Sequence, residues 1–299
     1  MRLLLPFLTL CTAIYLNPDD SLYEEYMTLD QIEYELEEMV KDHPASADYN
    51  FDLLKSRILT ENGNALSFMT ISDQQNIDDW VVVVCGLDGS DWAAVTACMN
   101  LLRNPAYYGF PQRLQEGQEK PSSGFLSSVN LLVVPVANPD GYEYTFSDDR
   151  NWNKNRAGTT SPLCTGVYLE KNFNSKWCED ELFTCSTNPC SADYAGPAAV
   201  SEPEIEAIME EVQNLGNIKT WITVNQRVNS NGHNIAYSSS LDEYRQSGDR
   251  HEIFLAEKFA NAMTRHSGDK KSSFTVGKMD EQHVTGSSVE WAQTVADYS

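Results

Sequence analysis

Four cysteines, Cys164, Cys178, Cys185 and Cys190, crowd one polar segment of the chain. Thiols at that density do one of two things: pair as disulfides in an oxidising compartment, or hold a metal. Their spacing, C-x13-C-x6-C-x4-C, lacks the paired C-x2-C of structural zinc sites, so two disulfides are the expectation. Cys85 closes an apolar run and Cys98 follows in a helical pattern, where a small buried thiol is expected for each. Three polar residues stand where apolar runs end: Asp88 after Trp80–Leu87, Asn138 after Val129–Val136 and Asn225 after Ile218–Val224. If those runs are strands of one sheet, such residues sit at its carboxyl ends, where α/β proteins place their sites.

The runs do read as strands. Val81-Val82-Val83-Val84 is continuously apolar, as strands buried on both faces are. Ala65–Ile71 alternates enough for another strand. Thr28-Leu-Asp-Gln31 is a capping-box pattern, and Ile32, Leu36, Met39 and Val40 follow at helical spacing until Pro44. Val95, Met99 and Leu102 mark a second helix. Ser201-Glu-Pro-Glu204 caps a third, with Ile205, Ile208, Met209 and Val212 on one face, and Leu255, Phe259 and Met263 mark a late one. Strands alternating with amphipathic helices predict an α/β domain: a mixed, largely parallel twisted sheet covered by helices on both faces.

The ends and the charge set the setting. Met1-Arg2, the apolar run Leu3–Leu10 and Cys11-Thr12-Ala13 read as a secretory signal peptide over 1–13. Residues 14–25 form a short acidic arm and 26–299 one domain, undivided by linkers or repeats. No apolar run reaches the roughly 20 residues a membrane span needs. A formal net charge of -23 argues against nucleic acid and anionic membrane as partners, since both select a basic face. Secretion is the expectation.

The run Asn138-Pro-Asp-Gly-Tyr-Glu-Tyr-Thr-Phe-Ser-Asp-Asp-Arg-Asn-Trp-Asn-Lys-Asn-Arg156 resembles the signature stretch of the zinc carboxypeptidases of the A/B type, N-P-D-G-[YF]-x-[YF]-T followed by x-R-x-W-R-K-x-R. Further resemblance lies on both sides. Tyr26–Ile32 is similar to the family's mature N-terminus, and Gly86–Trp92 occupies the slot of G-x-H-A-R-E-W. Gly166–Phe173 occupies that of G-V-D-x-N-R-N-[FW], and Gly286–Trp291 that of G-G-S-I-D-W. The resemblance implies the carboxypeptidase fold, here ending before the last strand, which carries the catalytic Glu, and the C-terminal helix. It also implies a zinc-dependent exopeptidase chemistry, against which each position can be tested.

The zinc-ligand slots hold Asp88, Asp91 and Asn225 where the family has His, Glu and His. Zinc favours imidazole nitrogen or thiolate, and this set offers oxygen alone. None of the 5 histidines, His43, His233, His251, His266 and His283, shows an H-x-x-E spacing. The Asn-Arg pair that grips a C-terminal carboxylate reads Glu170-Lys171, and the arginine that stabilises the oxyanion reads Asn153. The arginine of H-A-R-E reads Ser90, Arg150 keeps its slot, and the tyrosine that covers substrate falls on Gln282 or, one along, His283. Val289 occupies the specificity position, either lining an apolar hollow or simply packing.

The expectation is therefore a secreted, catalytically inactive carboxypeptidase-like protein with no cofactor, retained as a scaffold for a peptide or protein ligand. An active zinc carboxypeptidase removing apolar or aromatic C-terminal residues is the first alternative. A Ca²⁺ or Mg²⁺ site of Asp88, Asp91 and the Asn225 carbonyl is the second.

Overall fold

The structure, a computed structural model, describes residues 8–11, 26–42, 49–73, 77–103, 129–159, 163–178, 185–225, 233–237, 274–278 and 287–297. In chain order these form β1 (Leu8–Cys11), α1 (Leu29–Asp42), β2 (Tyr49–Leu59), β3 (Ala65–Asp73), β4 (Asp79–Cys85), α2 (Trp92–Arg103), β5 (Asn130–Val134), α3 (Pro139–Ser147), α4 (Pro203–Gln213), β6 (Asn217–Asn225), β7 (His233–Tyr237), β8 (Phe274–Lys278) and α5 (Ser288–Asp297). The expected late helix around Leu255, most of the leader and arm, and Gln282 with His283 lie outside the described residues.

The described strands form one mixed sheet in the order β2-β3-β5-β4-β6-β1-β7-β8. β4 lies parallel to both β5 and β6, and β2, β3 and β5 pair antiparallel. The pleat explains why β4 reads as an unbroken apolar run. Val81, Val83 and Cys85 face a cluster with Ile32 and Leu36 of α1 and Val95, Met99 and Leu102 of α2. Val82 and Val84 face the opposite cluster, with Ile205, Ile208 and Val212 of α4 and Trp291 and Ala292 of α5. Each such valine or leucine, fully buried, contributes about 2 kcal/mol of transfer free energy, so the sheet's two apolar faces require both helical layers.

Helix α1 starts as its capping box dictates. The Thr28 N–H donates to Gln31 Oε1 (2.8 Å) and the Gln31 N–H donates to Thr28 Oγ1 (3.4 Å). At α4 the expected cap is displaced by one residue: Glu202 is the N-cap, Pro203 follows at the first helical position, and no side chain caps. Ser201 Oγ instead donates to Glu202 Oε1 (2.6 Å). Sequence reasoning missed β2, whose Asp52, Lys55, Ser56 and Arg57 break the apolar alternation; it is the outermost strand on its side of the sheet.

Leu8–Cys11, read in the sequence as part of a leader, are paired as a strand. They run parallel to β6, with Leu8 opposite Ile222 and Cys11 opposite Asn225, and antiparallel to β7. An extended segment there meets ladder groups of β6 and β7 that would otherwise lie unpaired inside the sheet.

The expectation of free thiols at Cys85 and Cys98 is corrected: the two form a disulfide. Cys85 ends β4, and the turn into α2 brings Cys98 back over it with Cα atoms 6.4 Å apart, within bridging range. The sequence separation is 13. Replacing both by alanine is expected to cost about 3 kcal/mol, the loop-closure entropy of a ring of that size. A urea denaturation midpoint unchanged from the oxidised wild type would contradict it.

Candidate functional site

The carboxyl ends of β4, β5 and β6 lie side by side, since Val84 is opposite both Val134 and Thr223 and Cys85 is opposite Val224. Asp88, Asn138 and Asn225, each just beyond or at a strand end, therefore share one edge of the sheet. Local geometry locks the loops there. Gly86 turns at φ +67°, the Ala137 N–H donates to the Cys85 carbonyl (2.9 Å), and Asn138 Nδ2 donates to the Leu87 carbonyl (3.2 Å). Asn138 also caps α3, its Oδ1 accepting from the Gly141 N–H (2.9 Å). A Cβ on Gly141 would lie 2.4 Å from the Lys154 carbonyl oxygen. The Asn-Pro-Asp-Gly run is thus a helix start over which the segment 150–156 passes in backbone contact.

The residues singled out in the sequence lie on three segments near this edge, taken as the walls of a candidate cleft. On the first, Asp88 and Asp91 are both buried. Asp88 Oδ1 accepts from the Ser90 N–H (2.9 Å) and the Ser90 hydroxyl (2.6 Å), so one of its oxygens is turned onto its own loop. The Asp91 carbonyl accepts from the Val95 N–H (3.0 Å) and starts the first turn of α2. Arg150 donates to the Ser90 carbonyl (2.8 Å), and its guanidinium lies 3.7 Å from the Trp92 ring centroid. Its charge is therefore spread against an aromatic face.

The second wall is the segment 150–156. Asn153 Nδ2 donates to the Ala192 carbonyl (2.8 Å), and the Asn153 carbonyl accepts from the Gly89 N–H (3.3 Å). Lys154 is buried and donates from Nζ to the Pro189 carbonyl (3.0 Å); burial, and then neighbouring Arg156, push its pKa below the usual lysine value.

The third wall is the short 3-10 turn Leu169–Lys171, where both Glu170 and Lys171 are buried. Ser288, at the start of α5, donates to both Glu170 oxygens (3.1 and 3.2 Å) and shares a 2.9 Å hydrogen bond with Thr223 of β6. Val289, the next residue, is fully buried in the core cluster with Trp221, Trp291 and Ile205. Two disulfides, Cys164–Cys190 and Cys178–Cys185, staple the loop behind these walls, which disposes of a zinc knuckle at those four cysteines.

Comparisons with known proteins agree with this architecture. The zinc carboxypeptidase family profile matches residues 56–298, and the chain belongs to that family. It is similar to carboxypeptidase B of Bos taurus, with 30% identity over 205 residues covering 68% of this chain and 45% of that protein. It is similar to mast cell carboxypeptidase A of Rattus norvegicus, with 28% identity over 205 residues covering 67% of this chain and 45% of that protein. Among solved structures, thrombin activatable fibrinolysis inhibitor superposes with a TM-score of 0.75 and 26% identity, over 93% of this chain and 65% of that one. Carboxypeptidase A from Helicoverpa armigera shares the fold with a TM-score of 0.74 and 22% identity, over 92% of this chain and 63% of that one. The chain spans about half the length of the curated relatives it matches (45%).

Membership corrects one expectation from the sequence, that no cofactor is involved: the family is that of zinc carboxypeptidases, so zinc is the cofactor expected of a member. The residues that the sequence resemblance puts at the ligand positions fit it poorly. Asp88, Asp91 and Asn225 supply only oxygen, and one Asp88 oxygen already accepts two hydrogen bonds from Ser90. Among the described residues no group of three or more His, Cys, Asp or Glu is placed to hold a metal ion. Also among the described residues, no helix is long and apolar enough to cross a membrane.

Proposed function

We propose that this chain is a secreted member of the carboxypeptidase family whose cleft binds a peptide or protein ligand without hydrolysing it. The observation that carries the reading is residue 153. Hydrolysis of a peptide bond develops negative charge on the carbonyl oxygen, and the slot the family fills with an arginine holds a neutral amide already donated to the Ala192 carbonyl. Loss of one oxyanion donor typically costs about 100- to 1,000-fold in turnover. Glu170 compounds the loss, since it puts a carboxylate where the family grips the substrate's own carboxylate. Secretion is supported by three disulfides, which persist in oxidising compartments.

The competing reading, an active enzyme for apolar or aromatic C-terminal residues, draws on Arg150, which the family pattern retains. One assay separates the two. The purified, zinc-supplemented protein is incubated with peptides ending in phenylalanine or leucine, and residue release is followed by mass spectrometry. The expected result is no release above a heat-denatured control, with saturable binding of the intact peptides by calorimetry. Release that scales with protein concentration and stops on adding a chelator would refute the proposal.

A further inference from the structure

Behind the second and third walls, two glutamates meet on one amide. Glu202 and Glu204 are 4% and 0% exposed. Asn155 Nδ2 lies 2.7 Å from Glu202 Oε2, and 3.1 and 3.3 Å from Oε2 and Oε1 of Glu204. Among the described residues neither glutamate has a lysine or arginine partner. The two cations that flank Asn155 in sequence are engaged elsewhere: Lys154 on the Pro189 carbonyl, and Arg156 stacked 3.6 Å over Tyr144. Two buried carboxylates that share one neutral amide, with only the Ser201 hydroxyl added on Glu202 Oε1 (2.6 Å), cannot both ionise without a large electrostatic cost, so the cluster retains a proton.

The same asparagine ties two walls of the cleft together. Its Oδ1 accepts from the N–H groups of Val167 (2.8 Å) and Ala157 (3.2 Å), and its own N–H donates to the Val167 carbonyl (2.9 Å). On one side the chain leads to Asn153, on the other to Glu170 and Lys171. Glu202 adds a further tie, its N–H donating to Asn172 Oδ1 (3.2 Å). We propose that Glu202, Asn155 and Glu204 form a proton-held latch between the cleft walls, firmest in acid and loosened as pH rises. The latch stands on the fold and holds whether the cleft binds peptides or cleaves them.

Glu204 is the protonated member. Burial raises its pKa most; its backbone and Asn155 hydrogen bonds pull it down, the negative charges of Glu202 and of Asp140 on α3 push it up, and it settles at about 8 against an ordinary 4.5. Because the closed form holds the proton more tightly than the open one, the contribution is fully present below 4.5, is lost progressively as pH rises, and is gone by about 8. Opening of the latch is therefore expected to rise by up to about 10-fold per pH unit across that window and to level off above it.

The test is hydrogen exchange at the Val167 and Ala157 amides, corrected for intrinsic pH dependence, alongside melting temperature over the same pH range. In the wild type, protection at both amides should fall with pH and then plateau. In Glu204→Gln, which keeps the shape and removes the titration, protection should become independent of pH, whereas exposed Glu206→Gln should follow the wild type. A wild-type profile flat through the window, or a Glu204→Gln profile with the wild-type slope, overturns the latch. If Glu204→Gln fails to fold, infrared spectroscopy of the wild type decides instead. A protonated-carboxyl band present at neutral pH and lost on raising pH through about 8 supports the latch, and its absence overturns it.

Discussion

Gly166→Ala is expected to destabilise the protein by about 4 kcal/mol or more, enough to leave little folded material. Gly166 adopts φ +82°, and a Cβ there would lie 2.2 Å from the Asn155 carbonyl oxygen and 2.9 Å from Lys154 Cβ. Two costs add: left-handed strain in a residue with a side chain, and a collision with backbone that cannot give way. Gly63 separates them. It has φ +87°, but a Cβ there would meet nothing within 4 Å, so Gly63→Ala should show the strain alone, about 1 kcal/mol. Denaturant midpoints of the two variants give the comparison. Equal losses would mean that the contact between Gly166 and the 154–156 backbone carries no weight, and with it the packing of the latch segment.

Replacing Asp88, Asp91 and Asn225 together by His, Glu and His is expected to raise zinc affinity by about 100-fold or more. Disturbing only the outer partners of zinc ligands already changes affinity by about 10- to 100-fold, and exchanging the donors themselves should do no less. The physical basis is donor type: imidazole nitrogen suits zinc far better than an amide oxygen, and the substitution frees the loop from the Ser90 contacts that now hold Asp88. The sheet register supplies the geometry, since Cys85 and Val224 are paired neighbours with Asp88 and Asn225 just beyond them. Competition with a chromogenic chelator measures the gain, with circular dichroism confirming that the variant folds. Unchanged affinity in a folded variant would mean that the three positions do not converge on one metal.

Much of the fold was legible in the sequence because burial on both faces leaves a continuous apolar run, and β4, β5 and β6 each have one. The capping box of α1 was legible for a local reason: Thr28 and Gln31 satisfy each other's backbone donors without help from the rest of the chain. β2 was not legible, because a strand at the sheet's edge tolerates Lys55 and Arg57 and so loses its alternation. The Cys85–Cys98 bridge was missed for the opposite reason. Each cysteine sits in an apolar pattern that a buried thiol satisfies equally well, and only the angle between β4 and α2 brings the sulfurs together.

The family and the order of the strands and helices around the carboxyl edge of the sheet can be read along the linear chain. They follow from local patterns and from residue types at fixed slots. What the individual residues do with their side chains was set by packing in three dimensions. Asp88 turns onto Ser90, Asn153 is spent on the Ala192 carbonyl, Glu170 is held by Ser288 from a helix far along the chain, and Val289 packs into the core. Packing also brought Glu202 and Glu204 onto one asparagine 47 and 49 residues away. Contacts of that kind depend on how layers meet across the sheet, and no spacing along the chain encodes them.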